Sequence, residues 1–240
     1  MMEMLTLCFG SALATAAAWV YLNIQKPKIY EPDAQEKEGA EAPAEGLGET
    51  EVSPFARPNA SRLVFLILML IALCGMSAAL EIIYPNNTLL ANGKLIFLMA
   101  CLFVAANIDA RYRIIPNKLV LSAFVARVVF WVIELFSDPN SFWRIMKDDL
   151  SACLLIVVFF VVGVLLVRGG IGMGDIKLML VMALFQGFYG VVSSLFCSLF
   201  VAFIYAIVVL LLRKKTKKDS VAFAPAILLG TMLSVFLTGM

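Results

Sequence analysis

The sequence has no histidine, and only 15% of its 240 residues are charged. The absence of histidine excludes Ser-His-Asp and Cys-His catalysis, His-ligated zinc and histidine proton relays. Five cysteines are present, each alone in an apolar run and none in a Cys-x-x-Cys pair. We therefore expect no zinc knuckle, no disulfide framework and no other metal site.

Polar surface is also scarce, because 62% of the residues are hydrophobic and the mean hydropathy is +0.95. A soluble domain is roughly 45–50% apolar and about 25% charged. So large an apolar excess cannot be packed inside a globule of this size. The composition predicts an all-α polytopic membrane protein whose partner is the lipid bilayer. It excludes soluble enzymes, nucleic-acid binders and disordered chains.

Long apolar runs recur along the chain, and a helix needs about 20 such residues to cross the bilayer core. The runs are apolar on all sides, as expected of helices that face lipid and one another. The join between the sixth and seventh runs falls around Gln186-Gly187. The sequence predicts about eight transmembrane helices, at 4–22, 62–83, 92–109, 117–136, 149–167, 176–190, 191–212 and 220–239.

The chain divides into three predicted parts. Residues 1–22 lack a basic segment before the apolar run, so we predict a retained N-terminal membrane anchor helix rather than a cleaved signal peptide. Residues 23–60 are rich in Glu, Pro, Ala and Gly, with almost nothing apolar to bury, which predicts an acidic disordered cytoplasmic linker. Residues 61–240 form the predicted transmembrane bundle.

Lysine and arginine are concentrated on alternate loops. One such loop holds Arg111, Arg113 and Lys118, and the loop near residues 213–218 is strongly basic. The positive-inside rule places these loops in the cytoplasm. We therefore predict a multi-pass protein of the cytoplasmic (inner) membrane with both chain ends on the far side.

Two carboxylates, Asp109 and Asp175, lie where apolar helices meet the predicted cytoplasmic face. Taken singly, Asp109 is consistent with an interfacial acid and Asp175 with a helix N-cap. Ionisable residues at membrane depth are costly and usually functional. Two of them on one side of a bundle without histidine favour an aspartyl pair.

Such a pair can hydrolyse a peptide bond without metal, cofactor or histidine. Two carboxyl groups that share a site titrate apart, so that one serves as base and the other as acid. The base takes a proton from water, the water attacks the carbonyl carbon, and the acid protonates the leaving amine. The glycines before Asp175, which include Gly172 and Gly174, allow a non-helical segment that approaches another backbone closely.

The residues around both aspartates carry a family resemblance. The run Gly172-Met173-Gly174-Asp175 resembles the GxGD motif of intramembrane aspartyl proteases. The segment Asp109-Ala110-Arg111-Tyr112-Arg113-Ile114-Ile115-Pro116-Asn117 resembles the other half of the site in type IV prepilin peptidases. Asp175-Ile176-Lys177 resembles that family's Gly-Asp-x-Lys continuation. Phe223-Ala224-Pro225 is similar to its Phe-Gly-Pro motif, with Ala in place of Gly, and the resemblance covers about 90–240.

The resemblance implies an aspartic endopeptidase that removes the basic leader of prepilin-like membrane proteins, including pseudopilins and preflagellins. It implies Asp109 and Asp175 as the catalytic pair, toward the cytoplasm, and no cofactor. Residues 23–60 contain no cysteine, so the chain resembles the short peptidase-only branch, without a zinc module or an expected N-methyltransferase activity. The residues implied in substrate binding or loop shaping are Gly172, Gly174, Lys177, Arg111, Arg113, Pro116, Asn117 and Pro225.

Two other hypotheses for the function remain open. A transporter or proton channel would use Asp109 and Asp175 as relay or ion-binding carboxylates, and a non-catalytic scaffold would leave both motifs unexplained. Arg127 lies in mid-span with Glu134 seven residues on and on the same face, and we predict a structural pair there.

Overall fold

The structure, a computed structural model, describes residues 2–24, 60–166, 172–211 and 223–239. Almost all of these residues are helical, and the described ranges contain no strand. The predicted linker falls almost wholly outside the described residues. The helices are α1 (Met2–Ile24), α2 (Ala60–Ile83), α3 (Leu89–Tyr112), α4 (Asn117–Ser137), α5 (Pro139–Leu166), α6 (Met173–Leu211) and α7 (Ala224–Thr238).

Four helices of the described part are long and apolar enough to cross a membrane, namely Val64–Ile83, Leu89–Arg111, Asn117–Ser137 and Met173–Val208. Shorter apolar helices lie at Thr6–Ala18 and Ala224–Thr238. The prediction of an all-α polytopic membrane protein is therefore confirmed. The count of eight spans is not confirmed, because four helices of the described part meet the length and hydropathy of a span. The predicted sixth and seventh spans correspond to the two parts of α6 on either side of a kink at Gly187.

Helix α6 is interrupted at Gly187, which has a φ of 66° and a ψ of −171°. A positive φ is accessible to glycine because it has no Cβ. The break frees the N–H of Phe188, which donates to Asp148 Oδ2 on α5 at 3.2 Å. The interruption coincides with the join that the sequence places around Gln186-Gly187, and a carboxylate of a neighbouring helix caps it.

Helix α3 forms the centre of the bundle, with 61% of its span buried against 17–28% for the other three. It begins at an N-cap, Thr88, whose hydroxyl accepts from the Ala91 N–H at 3.2 Å. Helices α1 and α2 pack on one side of it, α7 on another, and α5 packs on α6. Helix α3 therefore contacts most of the other described helices.

Helix α5 begins at Pro139, ten residues before the predicted fifth span. Asp138 explains the earlier start, because its Oδ1 accepts from the backbone N–H groups of Asn140 (3.1 Å) and Ser141 (3.3 Å). Proline is well tolerated in the first turn. Hydrogen bonds from Ser141 and Asn140 hold the pKa of Asp138 below its usual range.

Helices α6 and α7 approach so closely that Gly230 touches the backbone of Ser198. A Cβ on Gly230 would lie well inside 3.0 Å of the Ser198 backbone, where real Cβ atoms essentially never lie. Hydroxyl contacts flank this point, with Ser193 Oγ 2.7 Å from Ser234 Oγ and the buried Ser198 Oγ donating to the Ile227 carbonyl at 3.3 Å. Small and hydroxyl residues are what lets helices approach in a membrane protein. The contact holds α7 close against α6.

Candidate active site

Asp109 lies in the last turns of α3 and is only 6% exposed. Its Oδ2 accepts a hydrogen bond from the backbone N–H of Ala224, at 2.9 Å. Ala224 is the first residue of α7, so the carboxylate lies at the positive end of that helix. Pro225 follows in the first turn, where the lack of an N–H costs nothing.

Asp175 lies in the first turn of α6 and is partly buried. Its N–H donates to the Gly172 carbonyl at 3.1 Å, and the Ile176 N–H reaches the same oxygen at 3.4 Å. Its carboxylate lies back over Gly172, since a Cβ there would be 3.1 Å from Oδ2. Gly172 therefore leaves room for the carboxyl group.

The two aspartates are brought to the same end of the bundle by the segment between α3 and α4. Gly174 packs on this segment, and a Cβ built on it would lie 3.2 Å from the Cβ of Ile115. Ile115 follows Asp109 by six residues and Gly174 precedes Asp175, so this contact puts both aspartates at the same end of the bundle. The C-terminus of α3 and the N-termini of α4, α6 and α7 thus surround the two carboxyl groups.

A hydrogen bond between two side chains connects α6 to α4. Lys177 Nζ donates to Asn117 Oδ1 at 2.7 Å, and Asn117 is the first residue of α4, after its N-cap, Pro116. Both residues are implied in the site by the resemblance, and the structure brings their side chains together. The contact joins the two helices that follow the aspartate motifs.

Arg111 and Arg113 are exposed at the end of α3. Arg113 has a φ of 55°, the left-handed conformation, and its N–H donates to the Asp109 carbonyl at 2.8 Å. This conformation is unfavourable for a side chain with a Cβ. The backbone of Arg113 therefore ends α3 at Tyr112, three residues after Asp109.

Sequence reasoning missed two kinds of contact. The hydrogen bond from Ala224 to Asp109 joins backbone to side chain, and its one signal is the resemblance of Phe223-Ala224-Pro225 to a family motif. The predicted pair of Arg127 and Glu134 is confirmed, with Nη1 donating to Oε1 at 3.3 Å. Its further partner Asp149 was missed, because the register of α5 against α4 has no sequence signature.

Within the described ranges, no group of three or more Cys, Asp or Glu side chains is arranged to hold a metal ion.

These observations define a multi-pass helical membrane protein with two carboxyl groups at one end of its bundle. Residues 96–207, which include Asp109 and Asp175, match the type IV leader peptidase family. This match confirms the resemblance found in the sequence.

A prepilin leader peptidase/N-methyltransferase of Bacillus subtilis (strain 168) is similar to this chain. The two are 25% identical over 138 residues, which are 57% of this chain and 52% of the relative. The chain therefore spans about half the length of that curated relative. No solved structure matches the chain significantly.

Proposed function

We propose that the protein is an aspartic endopeptidase that removes the leader peptide from type IV prepilin-like precursors, including pseudopilins and preflagellins. The observation that carries this proposal is the packing of Gly174 on Ile115, which puts Asp109 and Asp175 at the same end of the bundle. Both lie in the segment that matches the leader peptidase family. The name of the Bacillus subtilis relative agrees with this activity.

The proposed reaction uses one carboxylate as base and the other carboxyl as acid. The base removes a proton from a water molecule between them, and the water oxygen attacks the carbonyl carbon of the scissile peptide. The acid gives its proton to the leaving nitrogen as the C–N bond breaks. The products are a leader with a new carboxylate and a mature protein with a new amine, and the pair then exchanges a proton to reset.

The chain positions this pair through backbone groups. The Ala224 N–H holds Oδ2 of Asp109 in place, which leaves Oδ1 as the oxygen available to water. Gly172 and Gly174 allow Asp175 to approach, because a Cβ on either would crowd the Asp175 carboxyl or Ile115. Preorganised geometry of this kind is a large part of enzymatic rate enhancement.

We place this end of the bundle at the cytoplasmic face of the inner membrane. Arg111, Arg113 and Lys118 are exposed beside it, and cytoplasmic loops carry the excess of Lys and Arg. A precursor with a basic leader and an apolar helix would then present its scissile bond at the same interface.

A cleavage assay in membranes tests the proposal. Tagged precursors of the prepilin, pseudopilin and preflagellin types are each expressed with the wild-type chain, and the leader is followed by gel shift and N-terminal sequencing. We expect one precursor type to be cut at a single bond before its apolar helix. No cleavage of any type, together with proton flux in proteoliposomes, would instead support the transport reading.

Replacing Ala224 with Pro is expected to slow cleavage about ten- to hundredfold, the value of a hydrogen bond to a charged group. Proline has no N–H to give to Asp109, and its ring also disfavours the helical backbone conformation of Phe223, so both effects act against the position of Asp109. Ala224→Gly keeps the N–H and serves as the matched control, with a rate near wild type. Equal rates for the two variants would show that this hydrogen bond does not position Asp109.

A further inference from the structure

A network of buried charges lies on the side of the bundle away from the two aspartates. Arg127 is fully buried on α4, and Glu134 and Asp149 are buried beside it. Its Nη2 contacts both carboxylates, at 3.2 Å for Glu134 Oε2 and in a short ion pair with Asp149 Oδ2. Lys94 Nζ lies 2.6 Å from Glu134 Oε1. We call Lys94, Arg127, Glu134 and Asp149 the Arg127 network.

The network balances its own charge, with two cations and two carboxylates. Trp131 Nε1 donates to Asp149 Oδ2 at 2.8 Å, and the Trp131 ring lies 5.3 Å from Arg127 Cζ. Arg127 lies ten residues, or about 15 Å, along α4 from Asn117. Charges at such membrane depth are expensive and usually serve a function. The proposed chemistry at Asp109 and Asp175 uses none of these groups.

The network joins the helices that carry the two aspartates. Lys94 belongs to α3 with Asp109, and the ring of Phe185 on α6, the helix of Asp175, lies 5.8 Å from Arg127 Cζ. Phe97 of α3 stacks on Phe185 at 5.7 Å, and Phe130 of α4 meets both rings at 6.1 Å. Charges and rings together therefore fix α4 against α3 and α6.

Helix α4 has few other attachments to the bundle. Its buried residues are Leu119, Ala123, Arg127 and Glu134, so half of them belong to the Arg127 network. The same helix begins at Asn117, which binds Lys177. A change in the tilt or rotation of α4 at Arg127 would therefore move its first turn relative to Asp175.

We propose that Arg127 is a positioning residue that holds α4 in the register at which its first turn sets the GxGD segment against Asp109. This role rests on the proposed peptidase function. The network acts at a distance, because no member touches either aspartate. If Arg127 positions α4 in this way, its removal changes the packing of Ile115 on Gly174, which can be measured.

The test uses two variants, because a single change leaves buried charge unpaired. Arg127→Met removes the cation and leaves Asp149 without its partner. The double variant Arg127→Met/Asp149→Asn leaves the Lys94–Glu134 pair and an amide that still accepts from Trp131. We expect the double variant to accumulate in membranes like wild type, with kcat lowered at least tenfold and KM unchanged. Arg144→Met, an exposed arginine of α5, is the matched control and keeps the wild-type kcat.

A second readout does not depend on catalysis. The five native cysteines, which are free, are replaced by Ala, and Ile115→Cys and Gly174→Cys are introduced. A Cβ built on Gly174 lies 3.2 Å from the Ile115 Cβ, so a shift of a few tenths of an ångström brings the two cysteines to the roughly 3.5–4.5 Å that a disulfide spans, and we expect rapid oxidation. In a chain that also carries Arg127→Met and Asp149→Asn, we expect this disulfide to form several-fold more slowly.

An unchanged kcat, or an unchanged rate of cross-linking, would overturn the proposal. So would failure of the double variant to accumulate, because the network would then serve folding alone. If the wild-type chain cleaves no precursor, the proposed function fails, and the cross-link by itself still decides whether Arg127 positions the GxGD segment.

Discussion

Asp109→Asn and Asp175→Asn are each expected to lower leader cleavage by about 10²–10⁴-fold, the usual contribution of a positioned acid or base. Asparagine keeps the size of the side chain and can still accept from Ala224, so the fold and the α7 contact are retained. It can neither take a proton from water nor give one to the leaving amine. Quantitative gel assays on equal amounts of membrane-inserted protein measure the loss.

Asp138→Asn is the matched control for both aspartates. Asp138 is exposed and accepts two backbone hydrogen bonds at the start of α5, and asparagine caps a helix as well as aspartate. Its cleavage rate should equal that of the wild type. If cleavage survives Asp109→Asn or Asp175→Asn, that residue does not belong to the catalytic pair.

Gly230→Ala is expected to lower both the cleavage rate and the stability of the protein, although Gly230 is not near an acid or base of the proposed reaction. The added methyl group would collide with the Ser198 backbone, which cannot yield as a flexible side chain does. Helix α7 must therefore move away from α6, and it takes the Ala224 N–H with it. A misplacement of about 1 Å can cost about 10²-fold in rate, and overpacking typically costs about 1–3 kcal/mol in stability.

Gly75→Ala separates this effect from the general one of adding a methyl group to a helix. Gly75 lies on α2, and nothing is within 4 Å of a Cβ built there. We expect Gly75→Ala to keep the wild-type cleavage rate and melting temperature in detergent, whereas Gly230→Ala lowers both. Equal behaviour of the two variants would mean that the α6–α7 contact does not set the site.

The sequence predicts the membrane class and both candidate catalytic residues because each has a local signature. Long apolar runs define the helices, and the motifs around Asp109 and Asp175 are contiguous. The break at Gly187 also had a local signal, in a polar residue and glycine inside an apolar run.

Other features depend on how distant helices pack. Asp149 completes the Arg127 network only because of the register of α5 against α4, and no pattern within α5 reveals it. Ala224 contributes a backbone N–H, which its side chain does not encode. The early start of α5 followed from Asp138 and Pro139, whose capping role is hidden by the polar composition of residues 138–149.

The length of α7 has a consequence for the substrate. The helix has 15 residues between its caps, which rise about 22 Å, whereas the hydrocarbon core is about 30 Å thick. A helix this short is accommodated by local thinning of the bilayer. Asp109, which is hydrogen-bonded to the first residue of α7, would therefore lie where the membrane surface dips towards the bilayer centre. A precursor helix of ordinary length beside it would extend beyond the thinned lipid, and its first peptide bonds would be open to water at the level of the carboxyl pair.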